Sequence, residues 1–414
     1  MLATTNQLGF EASAGPLTWA FPLALFLASY VWAFSGDRRA SLPLFVVLGL
    51  VALVALFLLP GLQLVNLRSK WLIALVLLDG GAAMLACHVW LAHTRTADTH
   101  SFYRAAAVGG ALGSVLELLV IPRVTTGPVE FQVLTLALLA VAGLRWGNRW
   151  WQFVVTVLAV IAAGALLTTA EVRRPFEITR ARTLYGWLRV TRDSDPDKDV
   201  YILLNNTTIH GEEDRRNPAW DMLYYGRTTG LGACVTERQQ AHSSVNIGVV
   251  GLGAGGIANL LRDSDTVTFY EINPKVEEFA RKYFSYLGRS HSRVVIGDGR
   301  KLLEAETGPL YDVLVLDAFN GDAIPTHLLT AEAGAIYQRH LKPDGVLAVH
   351  ITNHHVNLQT VAEGLAQSMG RSYLFVPTGD TDWAILSPGK EAVRPDALLW
   401  TDERNSILPV LKWR

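Results

Sequence analysis

Four short stretches place glycines or acids directly after apolar runs, where they could do chemistry. "GLGAGG" supplies Gly251, Gly253 and Gly255; "YEIN" supplies Glu271; "VVIGDGR" supplies Asp298 beside Gly299; and "LVLDAFNGDAIP" supplies Asp317 and Asp322. A glycine turn lets a ligand approach backbone N–H groups at a helix start. Gly251, Gly253 and Gly256 fit G-x-G-x-x-G, and Glu271 lies 20 residues beyond Gly251, as a dinucleotide site would require. The later acids separate the readings. Carboxylates after three successive strands can serve a ribose diol, an adenine amino group and a reacting amine, and a dinucleotide site has no standard need for the last two. Each acid taken alone also reads as a helix N-cap.

Strands are expected at 245–252, 266–272, 292–297, 311–317 and 345–352, with helices near 274–287, 330–341 and 358–369. Near-continuous apolar strands alternating with helices imply a parallel, doubly wound sheet. Two last strands, 372–377 and 383–387, have only "TGDTD" between them, too short for a parallel crossover, so they should pair antiparallel. Upstream, "TLYGWLRVT" and "DVYILLNNTTIHG" read as strands of a β-extension that could cover the cleft.

The first half of the chain is different in kind. Apolar stretches recur at 16–34, 42–64, 71–92, 103–121, 129–144 and 151–170, about six spans of a helical transmembrane bundle. Gly109 and Gly113 have the spacing of close helix packing. Asp79 and Glu117 lie inside apolar segments and should face the bundle interior. Arginine and lysine counts on the two sides nearly balance, and the cluster "EVRRPFEITRAR" favours an inside C-terminal half, set against the anionic inner leaflet. The expected organisation is a transmembrane domain over 1–172, a linker and β-hairpin lid over 173–240, and an α/β Rossmann-like nucleotide-binding domain over 241–414.

The chain has 414 residues, 50% hydrophobic and 18% charged, with a formal net charge of −1, which gives no basic face for nucleic acid. Cys87 and Cys234 lie far apart, in different halves, and form neither a disulfide framework nor a cysteine zinc site.

"GLGAGG", "YEIN", "GDGR" and "LDAF" resemble the motifs of class I S-adenosylmethionine-type transferases, the spermidine synthase family most closely. "LRV", "NNTTIHG" and "LYYG" resemble that family's hairpin region and covering tyrosine segment. The whole chain looks like the membrane-fused spermidine synthase-like proteins of bacteria, through "DAF..DAIP..LLT" and "HLKPDGVLAVH". The resemblance implies a class I methyltransferase fold and aminopropyl transfer from decarboxylated S-adenosylmethionine to an amine such as putrescine. Methyl transfer from S-adenosylmethionine and a polyamine-binding transporter or sensor remain the alternatives. It also implies roles. Gly251, Gly253 and Gly255 would line the nucleoside and sulfonium end. Glu271 would hold the ribose hydroxyls, and Asp298 with Gly299 the adenine edge. His210 stands where a glutamine contacts the donor, and Tyr224 or Tyr225 is the covering tyrosine. Asp317 would be the catalytic acid. Where the family has a second acid three residues on, this chain has Asn320, so Asp322 would take that role from a longer loop. No metal is needed. The expected partners are a small amine and the lipid bilayer, with homodimerisation open, and the expected place is a bacterial inner membrane with the catalytic domain in the cytoplasm.

Overall fold

The structure is a computed structural model. It describes residues 1–11, 19–37, 41–61, 70–95, 98–127, 129–146, 149–172, 176–194, 196–206, 208–217, 225–308, 310–319, 325–353, 355–379, 381–389 and 396–412. The chain divides into two compact units, Met1–Trp187 and Leu188–Arg414.

The first unit is helical: α1 (Leu2–Glu11), α2 (Ala20–Phe34), α3 (Leu42–Gly61), α4 (Lys70–His93), α5 (Thr99–Val115), α6 (Ile121–Val124), α7 (Glu130–Trp146) and α8 (Arg149–Val172), followed by β1 (Glu177–Thr183). A π-turn over Leu116–Val120 joins α5 to α6. Side chains of α2, α3, α4, α7 and α8 form its main core, among them Ala33, Leu42, Leu50, Ala86, Leu139 and Val155. Backbones approach closely where glycine removes a side chain. A Cβ added at Gly49 would come within 2.6 Å of Leu139, and one at Gly143 within 2.6 Å of Val155.

Two expectations for this unit need correction. Among the described residues, two helices are long and apolar enough to cross a membrane, Trp71–His93 and Thr99–Val124, and not about six. Ala20–Phe34 and Glu130–Leu144 are apolar but shorter, and within α3 and α8 the described side chains give apolar stretches over Leu42–Leu56 and Arg149–Ala163. α2 ends at Phe34, where its apolar stretch ends, and its 15 residues rise about 22 Å, short of roughly 30 Å of hydrocarbon. Gly109 and Gly113 are not a packing seam. Nothing lies within 4 Å of a Cβ added at either, and α5 has no buried residue. Two arginines of the cluster after the last helix are paired within the chain. Arg182 is buried and grips Glu130 with two hydrogen bonds of 2.5 and 2.6 Å, and Arg180 pairs with Glu177 at 2.5 Å. Arg173 and Arg174 lie outside the described residues. Asp79 and Glu117 are buried as expected, and Glu117 accepts a hydrogen bond from Asn6 at 3.1 Å.

The second unit opens with a meander of β2 (Gly186–Ser194), β3 (Asp199–Asn205) and β4 (Thr208–Asp214), paired antiparallel. Then follow α9 (Gly230–Ala241), β5 (Asn246–Val250), β6 (Thr266–Glu271), α10 (Pro274–Tyr283), β7 (His291–Ile296), α11 (Gly299–Ala305), β8 (Tyr311–Leu316), α12 (Ala331–His340), β9 (Leu341–His350), α13 (Gln359–Met369), β10 (Arg371–Pro377) and β11 (Asp382–Pro388).

Seven strands form one sheet in the order β10-β11-β9-β8-β5-β6-β7. β5 to β9 run parallel, while β11 is antiparallel to both β9 and β10, as the short connection requires. This is the α/β Rossmann-like class I methyltransferase fold. Every residue of β8 is buried, which is why it reads as a continuous apolar run. Chain order reverses between β5 and β8, so a crevice opens at their carboxyl ends, the usual ligand position in such sheets.

Two helices carry little sequence signal. α9, "GLGACVTERQQA", has no apolar stripe and is started by Thr229, whose hydroxyl accepts from Gly232 N at 3.1 Å. α11 is a two-turn helix begun by Asp298.

Candidate active site

The glycine turn leaves β5 with backbone angles that side chains resist: φ is +104° at Gly251, +55° at Gly253 and +87° at Gly255. Space forbids a side chain as firmly as strain does. A Cβ on Gly251 would overlap the carbonyl oxygen of Asp317, and one on Gly253 that of His210. The helix start expected after this turn is a five-residue 3-10 turn, Gly256–Leu260, because Leu261 is already extended.

Glu271 ends β6 beneath the turn and is 7% exposed. Its Oε2 accepts from Leu252 N at 3.0 Å and its Oε1 from Asn273 N at 2.8 Å. Burial pushes its carboxyl up to about 6, against the pull of those backbone donors. The Ile272 N–H also acts on the carboxylate, which still has a lone pair for a further donor such as a hydroxyl of a diol. Asp298 is the N-cap of α11. One oxygen accepts from Lys301 N at 3.1 Å and the other lies 3.4 Å from His327 Nε2. The cap reading therefore holds for Asp298, with Gly299 in the first turn behind it, where a Cβ would come within 2.6 Å of Val250.

Asp317 follows β8, and its N–H donates to Val250 O at 2.9 Å, which joins it to the last residue of β5. Its Oδ2 accepts from the Tyr225 hydroxyl and its Oδ1 from His350 Nδ1 at 2.8 Å. The ring of Tyr225 also covers the glycine turn: a Cβ on Gly256 would meet it at 3.0 Å. Of the two tyrosines considered for this role, Tyr225 is therefore the one brought to the acid, while Tyr224, Asn320 and Asp322 lie outside the described residues. His210 comes from β4, and its carbonyl accepts from Ala254 N at 3.2 Å. Its Nε2 is buried with no hydrogen-bond partner among the described residues. Burial lowers its imidazole below the ordinary range, with the Asp317 charge pulling the other way.

The meander is latched to the sheet domain around this crevice. Glu213 accepts from Ser285 N at 2.8 Å and Arg289 Nη2 at 2.7 Å, and the Tyr286 hydroxyl donates to Glu212 O at 2.7 Å. Gly211 lies so close to Ala254 that a Cβ there would meet its backbone nitrogen at 3.2 Å.

Sequence reasoning missed His350 and Thr352. His350 ends β9, 7% exposed, stacked on Trp383 at 4.7 Å and met edge-on by Phe319 at 4.9 Å. A signal for it existed. β8 and β9 are parallel with Leu316 opposite Val349, so the next residues of each strand, Asp317 and His350, fall side by side.

No family model matches the chain. The chain is 34% identical over 107 residues to the polyamine aminopropyltransferase of Vibrio vulnificus, covering 25% of this chain and 36% of that protein. It is 27% identical over 192 residues to a probable polyamine aminopropyl transferase of Bifidobacterium longum, covering 45% of this chain and 40% of that one. The chain thus spans well under half the length of the curated relatives it matches. Among solved structures, a probable spermidine synthase from Corynebacterium glutamicum aligns with TM-score 0.40 and 18% identity, over 50% of this chain and 78% of that one. Over the matched stretches the chain is similar to polyamine aminopropyltransferases.

Proposed function

We propose that the chain is a membrane-anchored aminopropyltransferase that moves an aminopropyl group from decarboxylated S-adenosylmethionine to a small amine such as putrescine. The observation that carries this reading is Asp317. It is a carboxylate at the sheet's switch point, oriented by Tyr225 and His350 and in backbone contact with the glycine turn. The donor's nucleoside would lie along Gly251, Gly253 and Gly255, with its ribose diol donating to Glu271. The attacking amine nitrogen forms a bond to the carbon attached to sulfur, and that carbon–sulfur bond breaks to release methylthioadenosine. The nitrogen gives up a proton, and Asp317 accepts it. A carboxylate there also favours a cationic acceptor. Held in line, nucleophile, carbon and leaving sulfur react without the entropic cost of finding one another.

The apolar helices of the first unit would anchor the chain in a bacterial inner membrane, with the catalytic unit on the cytoplasmic side where the sulfonium donor is made. The two long helices, Trp71–His93 and Thr99–Val124, support an anchor. Our reading extends it to the shorter ones, as spans of a multi-pass bundle. Purified protein given putrescine with either decarboxylated S-adenosylmethionine or S-adenosylmethionine tests the reaction. Methylthioadenosine should form with the first donor, and S-adenosylhomocysteine from the second would instead mean methyl transfer. Reporter fusions at both termini test the topology, and an external C-terminus would exclude a cytosolic donor.

A further inference from the structure

We propose that His350 is a positioning residue for Asp317, held in a single tautomer by a directional chain of hydrogen bonds. The proposal rests on the aminopropyl-transfer reading above, in which Asp317 touches the acceptor amine. The chain starts at a group that can only donate. The backbone N–H of Asp382 donates to Thr352 Oγ1 at 2.7 Å. Ile351 N donates to Asp382 O at 2.9 Å, which fixes Thr352 against β11. The Thr352 hydroxyl also has a proton to give, His350 Nε2 lies 2.8 Å away, and the carboxylate of Asp317 at the other nitrogen, which can only accept, selects that direction. An imidazole that accepts at Nε2 carries its proton on Nδ1. That Nδ1–H points at Asp317 Oδ1, 2.8 Å away.

Packing leaves the ring little choice of pose. Trp383 is the register partner of His350 across β9 and β11, and its indole stacks on the imidazole with an interplanar angle of 15°. Phe319 meets the other side at 73°. The ring is a rigid donor, delivered by β9 to the residue that β8 delivers beside it. With Tyr225 on Oδ2, Asp317 receives one hydrogen bond at each oxygen and is fixed in plane and rotation. One lone pair on each oxygen then remains for the amine. The arrangement also sets where the abstracted proton goes. His350 Nδ1 already bears a proton and Nε2 is engaged by Thr352, so the proton stays on Asp317 until solvent takes it. No inward relay operates unless the imidazole changes tautomer.

The test uses the full chain in lipid nanodiscs and three variants: His350→Leu, His350→Gln and Thr352→Val. Loss of one hydrogen bond to a charged group should lower kcat of His350→Leu by about tenfold to a hundredfold. The dissociation constant for methylthioadenosine, read by calorimetry, should stay at the wild-type value. His350→Gln, whose amide N–H can still donate to Asp317, should recover most of the loss. Thr352→Val, which touches neither Asp317 nor substrate, should still lower kcat several-fold. In a ¹⁵N imidazole spectrum, with the signal of His350 identified by its absence from His350→Gln, wild type should show a protonated Nδ1 and a bare Nε2. Wild-type kcat in His350→Leu overturns the proposal. So does a parallel loss of nucleoside affinity, which would make the residue merely structural, and so does a proton on Nε2. If the wild-type protein transfers no aminopropyl group, the functional reading fails by itself, and the spectrum still upholds or overturns the hydrogen-bond chain.

Discussion

Asp317→Asn changes one oxygen of the side chain into an amide nitrogen and leaves its volume alone. His350 Nδ1–H donates to Oδ1 and the Tyr225 hydroxyl to Oδ2, so the remaining carbonyl of asparagine would turn towards His350, whose proton is fixed. The amide NH2 then faces Tyr225, whose hydroxyl can rotate and accept. Both neighbours remain partnered, so the cost to folding should stay below about 1 kcal/mol, the scale of one exchanged neutral hydrogen bond. The chemistry should suffer far more. An amide cannot take the amine's proton, and loss of a positioned base costs roughly 10²-fold to 10⁴-fold, or about 3 to 5 kcal/mol of activation energy. Methylthioadenosine released from decarboxylated S-adenosylmethionine and putrescine gives the rate, and calorimetry with methylthioadenosine gives nucleoside binding. The expected pattern is a collapsed kcat with an unchanged nucleoside dissociation constant. Turnover within a few-fold of wild type would refute the assignment of Asp317 as the proton acceptor.

Tyr225→Phe removes one of the two donors to Asp317 and should lower kcat by about tenfold to a hundredfold with little change in melting temperature, a loss of about 1.5–3 kcal/mol. Affinity for methylthioadenosine should depend on pH through Glu271. Its carboxyl is raised to about 6 when free, a diol binds the ionised form, and so the dissociation constant should rise as pH falls through about 6 and stay flat above it. The same raised value contributes stability that is fully present below the ordinary glutamate range and is lost as pH climbs through about 6, which denaturant titrations at pH 4.5 and 7 would detect in Glu271→Gln against wild type. Gly251→Ala combines a positive φ with overlap of a carbonyl oxygen and should destabilise the catalytic unit by at least about 3 kcal/mol, visible as a lowered unfolding midpoint. Arg182→Met strands Glu130 without its buried partner, at a cost of about 3–5 kcal/mol, and pairing it with Glu130→Leu should recover most of that in thermal unfolding.

Much of the sheet was legible because its strands announce themselves. β8 is apolar throughout, the glycines at 251, 253 and 255 mark the turn that only positive φ can make, and the four residues between β10 and β11 dictate antiparallel pairing. The acids were legible as a set, though not in their individual duties. Asp298 spends an oxygen on its own helix start, and nothing in "GDGR" separates a cap from a ligand contact. His350 was hidden because a histidine at the end of "GVLAVH" looks like any strand residue. Only the pairing of Leu316 with Val349 turns it into a neighbour of Asp317. In the first unit, composition revealed the helices and most of their ends, α2 stopping at Phe34 and α3 starting at Leu42 where the apolar stretches do. Gly109 and Gly113 failed for a physical reason. Small residues permit close approach, and whether a partner takes it up is decided elsewhere in the bundle.

The carbonyl of Asp317 fills the space where a Cβ on Gly251 would stand, while the amide of Asp317 is tied to Val250. Nucleoside turn and reactive carboxylate are therefore one mechanical piece, with no compliant residue between them. A substitution that reshapes the turn for a bulkier nucleoside must displace the acid in the same stroke, and one that swings the acid towards a longer amine must open the turn. Adaptation of such a centre to new substrates has to come from the elements that close over it, the meander and Tyr225, where changes can accumulate singly. An attempt to evolve altered donor use should accordingly return mutations in those elements and almost none at residues 250, 251 and 317.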